Sequence, residues 1–402
     1  MKRFDEYIRE NVLLFDGSMG ALLASMGHSM ECPELLNVEK PDVIASVHER
    51  YAKAGAQTTI TNTLGSSRLK LKRTGYADRA AEFTRAAVEN ARRGAGENVY
   101  VALDVGSTGD FLAPLGSLSM DDVLDNYREM TKAGAEAGAD LVLLETQIDI
   151  AECRAACIAA RETGLPIAAS FTFNPNGRTL TGGSPECAAL ILAAAGASVM
   201  GVNCSGGPQE MLPILKAMRS VSPLPVIVQP NAGLPETDAD GNVRYPFTPE
   251  IMLPHMKELL EAGASAIGGC CGTTPEHIAL FATLTEGRTA PAPVCGDKKY
   301  ICSTRQYVEV PDLGDLTVIT DTEDLYDLDP DELAIIDLAG LSPEEAAETA
   351  VEAQSICSSP LSFRSDDADV LAAALLNYAG VAGVDAPESC NAAIAAYGAK
   401  RL

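Results

Sequence analysis

The sequence predicts an α/β protein: a (β/α)8 barrel followed by a small C-terminal α/β domain. Three observations carry that expectation. Short, continuously apolar runs recur eight times in the first part of the chain, each followed by a helical pattern or a helix-bearing connection. Runs of this kind suit strands buried on both faces of a parallel sheet. Polar residues gather where the runs end, which is where a barrel assembles its chemistry. A doubly wound open sheet is the competing layout. It would place a Gly-rich phosphate loop after the first strand, whereas Asp16-Gly17-Ser18-Met19-Gly20 puts an acid where a pyrophosphate would approach.

Taken in order, the first run is 12–15, ending at Asp16. A helix over 41–55 follows, then a β-rich stretch at 57–61 that ends at Asn62. A helix over 77–95 leads to the third run, 99–103, ending at Asp104. A helix over 120–137 leads to 140–144, ending at Glu145. The fifth run, 166–172, follows a helix over 149–163. The sixth, 198–202, follows a helix over 185–195 and ends at Asn203-Cys204. The seventh, 225–228, follows a helix over 208–220 and ends at Gln229-Pro230-Asn231. A helix over 249–262 then leads into Ser265-Ala-Ile-Gly-Gly-Cys-Cys-Gly-Thr-Thr-Pro-Glu-His277. There Thr274 suits an N-cap, Pro275 the first helical turn, and Glu276 the positive helix end.

The barrel is assigned to residues 1–287 and a linker to 288–298. Residues 299–402 form the small domain, with strands expected at 316–319, 333–337, 360–363 and 381–384. Helices are expected over 342–357, over 366–379 and from about 387.

Composition narrows the function classes. The 402 residues carry a net charge of −26, which argues against nucleic acid or an anionic membrane as a partner. The tail is especially acidic: 296–402 holds 21 acidic and 6 basic residues. A solvated surface and a docking face for a basic partner both fit that excess. The N-terminus is charged and amphipathic, without the apolar core of a signal peptide, and no apolar run reaches the length of a membrane span. The eleven cysteines then read as reduced thiols of a cytoplasmic protein rather than a disulfide framework.

Cys204 ends the sixth run, and Cys270 and Cys271 end the eighth. In a barrel these thiols meet at one mouth. Three thiolates suit Zn²⁺ with one position left open. Such a set activates water poorly but accepts a fourth thiol, which loses its proton on binding and stays nucleophilic. Buried core cysteines and a vicinal disulfide are the alternatives that spacing leaves open. Alternation along a strand would send Cys270 and Cys271 to opposite faces, so one metal needs an irregular strand end, which Gly268 and Gly269 would permit. Cys153, Cys157 and Cys187 fall on helices and read as ordinary thiols. Asp16 and Glu145 suit either a substrate ammonium or the cap of a following helix. The four histidines have neither metal spacing nor a neighbouring nucleophile, and His277 reads as structural.

The chain resembles the homocysteine S-methyltransferase family over about residues 8–285. The motifs that carry the resemblance are Asp16-Gly17-Ser-Met-Gly20, Thr61-Asn62-Thr63, Glu145-Thr146, Gly201-Val-Asn-Cys204, Pro230-Asn231-Ala-Gly-Leu-Pro235 and Gly268-Gly-Cys-Cys-Gly-Thr-Thr-Pro-Glu-His277. The resemblance implies a (β/α)8 TIM barrel whose zinc is held by Cys204, Cys270 and Cys271, with the homocysteine thiolate as fourth ligand. It implies that Asp16, Gly17 and Glu145 lie by the amino acid end of the substrate, supported by Asn203 and Asn231, and that the product is methionine.

The Pro230–Pro235 run and the additional C-terminal piece resemble the methionine synthase branch, where the methyl comes from methylcobalamin. This sequence has no Asp-x-His-x-x-Gly corrinoid loop, and residues 296–402 contain no histidine, so a corrinoid is expected on a separate partner protein. Pro360-Leu-Ser-Phe-Arg-Ser365 resembles part of a pterin-binding barrel, in a piece too short for a complete one. Two other functions fit the same residues. One is the same zinc chemistry with a small-molecule donor, S-methylmethionine or a betaine. The other is a non-catalytic subunit that binds a thiol or a corrinoid protein.

Overall fold

The computed structural model describes residues 1–237, 243–310, 316–329 and 332–402. Strand and helix alternate from β1 (Leu13–Leu14) through α1 (Pro41–Lys53), β2 (Thr58–Ile60), α2 (Ala80–Ala95), β3 (Tyr100–Gly106) and α3 (Met120–Glu136). The order continues with β4 (Leu141–Gln147), α4 (Ile150–Arg161), β5 (Ile167–Phe171), α5 (Pro185–Ala194), β6 (Val199–Asn203) and α6 (Pro208–Val221). It ends with β7 (Val226–Gln229), α7 (Pro249–Glu261), β8 (Ala266–Ile267) and α8 (Pro275–Thr285).

The eight strands pair in the order β1-β8-β7-β6-β5-β4-β3-β2, all parallel. The ring closes where Phe15 bridges Thr58. There the Asp16 N–H donates to Thr58 O at 3.0 Å and the Gln57 N–H to Leu14 O at 2.8 Å. Closure removes every free strand edge and points all strand C-termini to one mouth.

Local chemistry explains the element starts. Proline opens α1, α5, α6, α7 and α8, where its missing N–H has no intrahelical partner to lose. Ser119 and Asp122 form a capping box on α3. Asp149 caps α4 by accepting from the Glu152 N–H at 2.8 Å. The barrel axis is filled by Phe4, Phe15, Tyr100 and the aliphatic residues of the inward faces. The outer faces of the strands pack against the helices.

Beyond α8, residues 290–299 form neither helix nor strand. An antiparallel hairpin follows, β9 (Tyr300–Cys302) with β10 (Tyr307–Glu309). Next come β11 (Thr317–Ile319), β12 (Ala334–Asp337), α9 (Pro343–Ile356), β13 (Leu361–Arg364) and α10 (Ala368–Asn377). β14 (Gly383–Asp385), α11 (Asn391–Tyr397) and β15 (Lys400–Arg401) complete the chain. Strands β11 to β15 form a parallel sheet in sequential order with its own apolar core. Two features differ from the sequence expectation. The hairpin lies in a stretch where no strand is expected, because only three residues on each side pair. The fifth strand, β15, is a two-residue segment too short to show a periodicity. No helix among the described residues is long and apolar enough to cross a membrane.

The C-terminal sheet is tied to the barrel by backbone acceptors. Cys302 and Val381 exchange N–H to carbonyl bonds at 2.9 and 2.8 Å, which join the hairpin to the sheet, and the Ser184 N–H of the barrel donates to Thr304 O of the hairpin at 3.0 Å. Cys302 and Val381 both join the core outside the barrel strands. Arg154 of α4 is the central tie. Its guanidinium donates to Leu375 O at 2.6 Å and Leu376 O at 2.8 Å. Both carbonyls lie in the last turn of α10, which leaves them without intrahelical donors and carries the negative end of the helix dipole. Burial pulls the Arg154 pKa down to about 10, so it stays cationic at neutral pH. Replacing Arg154 with Met leaves two buried carbonyls unpaired. A loss of about 3 kcal/mol of stability is expected, read as a lower urea midpoint or as separate unfolding of the C-terminal sheet. An unchanged, single transition would overturn this role.

Candidate metal centre

Cys204, Cys270 and Cys271 meet at the barrel mouth, with their sulfurs all within 4.8 Å of one another. Cys204 directly follows β6 and takes a left-handed backbone conformation, φ 53°. That costs a non-glycine residue about 1–3 kcal/mol. Cys270 and Cys271 lie past the end of β8, in a loop held to the end of β7. The Cys270 N–H donates to Pro230 O at 2.9 Å, and the Ala232 N–H donates to Cys271 O at 2.9 Å. The Cys271 N–H donates to Asn231 Oδ1 at 3.0 Å. This is the irregular strand end that one metal requires.

The glycines before the pair are also required by close packing. Neither Gly268 nor Gly269 has a positive φ. Close approach excludes a side chain instead: a Cβ would come within 2.7 Å of Phe15 Cβ at Gly268, and 2.2 Å of Thr273 Oγ1 at Gly269. Thr273 Oγ1 is itself occupied, donating to Cys270 O at 2.7 Å and accepting from the Ser18 N–H at 3.2 Å. Gly17 is constrained by the same hydroxyl, which a Cβ there would meet at 2.8 Å.

The sulfur geometry fits a tetrahedral ion. Sγ of Cys271 lies 3.8 Å from that of Cys204 and 4.0 Å from that of Cys270. Three sulfurs about 2.3 Å from a tetrahedral Zn²⁺ lie about 3.8 Å apart. The thiols are unequal. Hydrogen bonds from Cys204 and Cys270 hold Cys271 below the ordinary thiol range, and the same contacts together with burial hold Cys270 above it. The Tyr245 ring packs against the adjacent Gly272, where a Cβ would come within 2.3 Å of it.

The polar residues around the sulfurs form a connected set. Asn203 Nδ2 donates to Thr146 Oγ1 at 2.7 Å and Glu145 Oε1 at 3.3 Å. Its Oδ1 accepts from the Thr146 N–H at 3.1 Å and Ser170 Oγ at 2.6 Å. Burial, followed by the charge of Cys271, pushes the Glu145 pKa up to about 7. Burial pushes Asp16 up to about 8, against hydrogen bonds from the Ile60 N–H and the Thr59 hydroxyl, both to Oδ2 at 2.8 Å. Neither acid caps a helix: Ser18 caps the short helix after β1 and Asp149 caps α4. Asp16 keeps Oδ1 without a partner, and Glu145 accepts one bond, from Asn203, on Oε1. Asn231 is committed to the cysteine loop through the Cys271 N–H.

His277 is structural, as its position suggests. Its Nδ1 accepts from the Thr274 N–H at 3.2 Å, and its Nε2 lies 3.0 Å from Phe247 O. Four residues of the site had not been singled out from sequence. Thr146 (φ 54°), Ser170 and Thr273 act through hydrogen bonds that only the folded mouth creates. Tyr245 packs beside the cysteine pair, against Gly272, from the loop between β7 and α7. Thr146 and Thr273 left a trace, as members of the Glu145-Thr146 and Gly268–His277 motifs.

A family model described as homocysteine S-methyltransferase matches residues 13–285. The chain is 33% identical over 293 residues to a methionine synthase of Mycobacterium leprae, covering 68% of this chain and 24% of that protein. It is 30% identical over 334 residues to a methionine synthase of Mycobacterium tuberculosis, covering 78% of this chain and 28% of that protein. The chain thus spans about a quarter of the length of these relatives. Among solved structures, the metallated form of the homocysteine methyltransferase MmuM from Escherichia coli aligns with a TM-score of 0.58 and 26% identity, covering 70% of this chain and 99% of that one. Its fold is the barrel described above. With the family match running from β1 to the end of α8, the chain belongs to the homocysteine S-methyltransferase family.

Proposed function

We propose that this chain is a zinc-dependent homocysteine S-methyltransferase that forms methionine, with the methyl group delivered by a methylated corrinoid on a separate protein. The observation that carries the reading is the cluster of three cysteine sulfurs at tetrahedral spacing in the barrel mouth. Cys204, Cys270 and Cys271 would hold Zn²⁺ and leave the fourth position to the substrate thiol. The bound ion would lower the pKa of that thiol so that it reacts as a thiolate at neutral pH.

The chain's own residues do the rest. The Asn231 and Thr273 hydrogen bonds keep the cysteine loop in place before substrate arrives. Asp16 and Glu145 offer carboxyl groups whose raised pKa values a substrate ammonium would bring back down, ionising them against it, and the absence of a side chain at Gly17 leaves room beside them. Asn203 fixes the orientation of Glu145. In the transfer, the thiolate sulfur attacks the methyl carbon in line. The S–C bond forms as the bond from methyl to donor breaks, and that electron pair stays with the donor. In this reading residues 1–287 are the homocysteine barrel, 288–298 a linker, and 299–402 an acidic domain.

The corrinoid assignment rests on the likeness of the Pro230–Pro235 run to the methionine synthase branch and on the identity to mycobacterial methionine synthases. A small-molecule donor is the second reading. It draws support from MmuM, nearly all of whose chain aligns with the barrel and which is named as a homocysteine methyltransferase.

Two outcomes test the proposal. Wild-type protein is expected to bind about one zinc per chain, and Cys270→Ser to weaken zinc by more than about a hundredfold in a competitive chelator titration. Undiminished zinc in the variant would remove Cys270 from the site. Methionine formation is expected with a methylated corrinoid protein and not with S-methylmethionine or betaine. Turnover with a small donor alone would establish the second reading instead.

A further inference from the structure

Residues facing the barrel axis alternate along each strand. The axial core takes Tyr100 and Ala102 from β3, Leu141 and Leu143 from β4, and Ile227 from β7. Two residues further along, the same alternation aims Asp104, Glu145 and Gln229 at the axis at the mouth end. Register sets Gln229 directly beside Asn203. A Cβ added at Gly268 would lie 3.3 Å from Gln229 Cγ and 2.7 Å from Phe15 Cβ, which places the Gln229 side chain at the level where the axial core gives way to the site.

Gln229 is fully buried, yet neither its Nε2 nor its Oε1 has a hydrogen-bond partner. Its neighbour Asn203 spends both ends of its amide on Glu145, Thr146 and Ser170. Two carboxylate oxygens near the same mouth are equally unspent: Oδ1 of Asp16 and Oδ1 of Asp104. Buried polar atoms are normally paired, so a group of unpaired ones points to a polar occupant. Free acceptors on acids suit an ammonium. They repel a carboxylate, which needs a donor brought in without further negative charge. The Gln229 amide supplies one.

We propose that Gln229 is a specificity-determining residue whose Nε2 donates to the α-carboxylate of the thiol substrate, selecting an amino acid over a simple thiol. This rests on the reading of the site as a homocysteine site. Gln229 does not touch the reacting sulfur. Its contribution is to register the amino acid end while the cysteines hold the thiol end.

The test compares homocysteine with aminopropanethiol, which is homocysteine without its carboxylate. Both are titrated calorimetrically into zinc-loaded wild-type protein and zinc-loaded Gln229→Met. Wild type is expected to prefer homocysteine. The variant is expected to lose about tenfold or more in homocysteine affinity, with aminopropanethiol binding unchanged. Because Met keeps the volume and removes an unpaired amide, the melting temperature of the ligand-free variant should be equal or higher. Equal discrimination by wild type and variant would overturn the role of Gln229 and leave the thiol site standing. A lower melting temperature with weaker binding of both thiols would also overturn it, in favour of a structural role. Wild type that binds neither thiol would overturn the thiol reading and this inference together.

Discussion

The arrangement of the site depends on how the loop after β8 is fastened to the end of β7. Three hydrogen bonds do this: Cys270 N–H to Pro230 O, Cys271 N–H to Asn231 Oδ1, and Ala232 N–H to Cys271 O. They hold a segment that has left its strand, so that two successive side chains approach Cys204 together. A continued strand would have separated them by the pleat. Asn231 matters here because a side-chain acceptor takes the place of a ladder partner. The sulfurs meet because the backbone is over-determined from outside the cluster.

Much of this was legible in the sequence. Eight apolar runs gave the barrel because a parallel sheet buries both faces of its strands and so makes them visible. Asp16, Glu145, Asn203, Cys204, Cys270 and Cys271 were legible because strand ends are where runs stop. The remainder was hidden for identifiable reasons. The left-handed turns at Thr146 and Cys204 carry no sequence mark, since neither is Gly or Asn. Thr273 reads as part of a helix start and is instead the hydroxyl that joins the first loop to the last. Gly268 and Gly269 were recognisable as special, but their crowding against Phe15 and Thr273 appears only in the fold. Gln229 gave no signal, because a glutamine at a strand end is unremarkable until its partners are counted.

The mouth is built at the expense of stability. Cys204 and Thr146 hold strained backbones, Asp16 and Glu145 are buried carboxyl groups with raised pKa values, and several polar atoms lack partners. Each is unfavourable in isolation, and together they mark one region of the barrel. The opposite end of the axis holds Phe4, Tyr100 and aliphatic residues, with aromatic rings packed edge to face. The fold separates a well-packed end from a polar one, the usual division of labour in such barrels.

The Arg154 tie has a consequence for how the two parts of the chain can change. Its acceptors are main-chain carbonyls, which every residue type provides. Substitution at 375 or 376 leaves both bonds available, provided that α10 still ends there. Arg161 follows the same rule with Ala396 O. The barrel therefore recognises the end of a helix rather than a sequence. Positions 375, 376 and 396 are free to drift in sequence while the two α4 arginines keep their bonds, so long as the helices still end there.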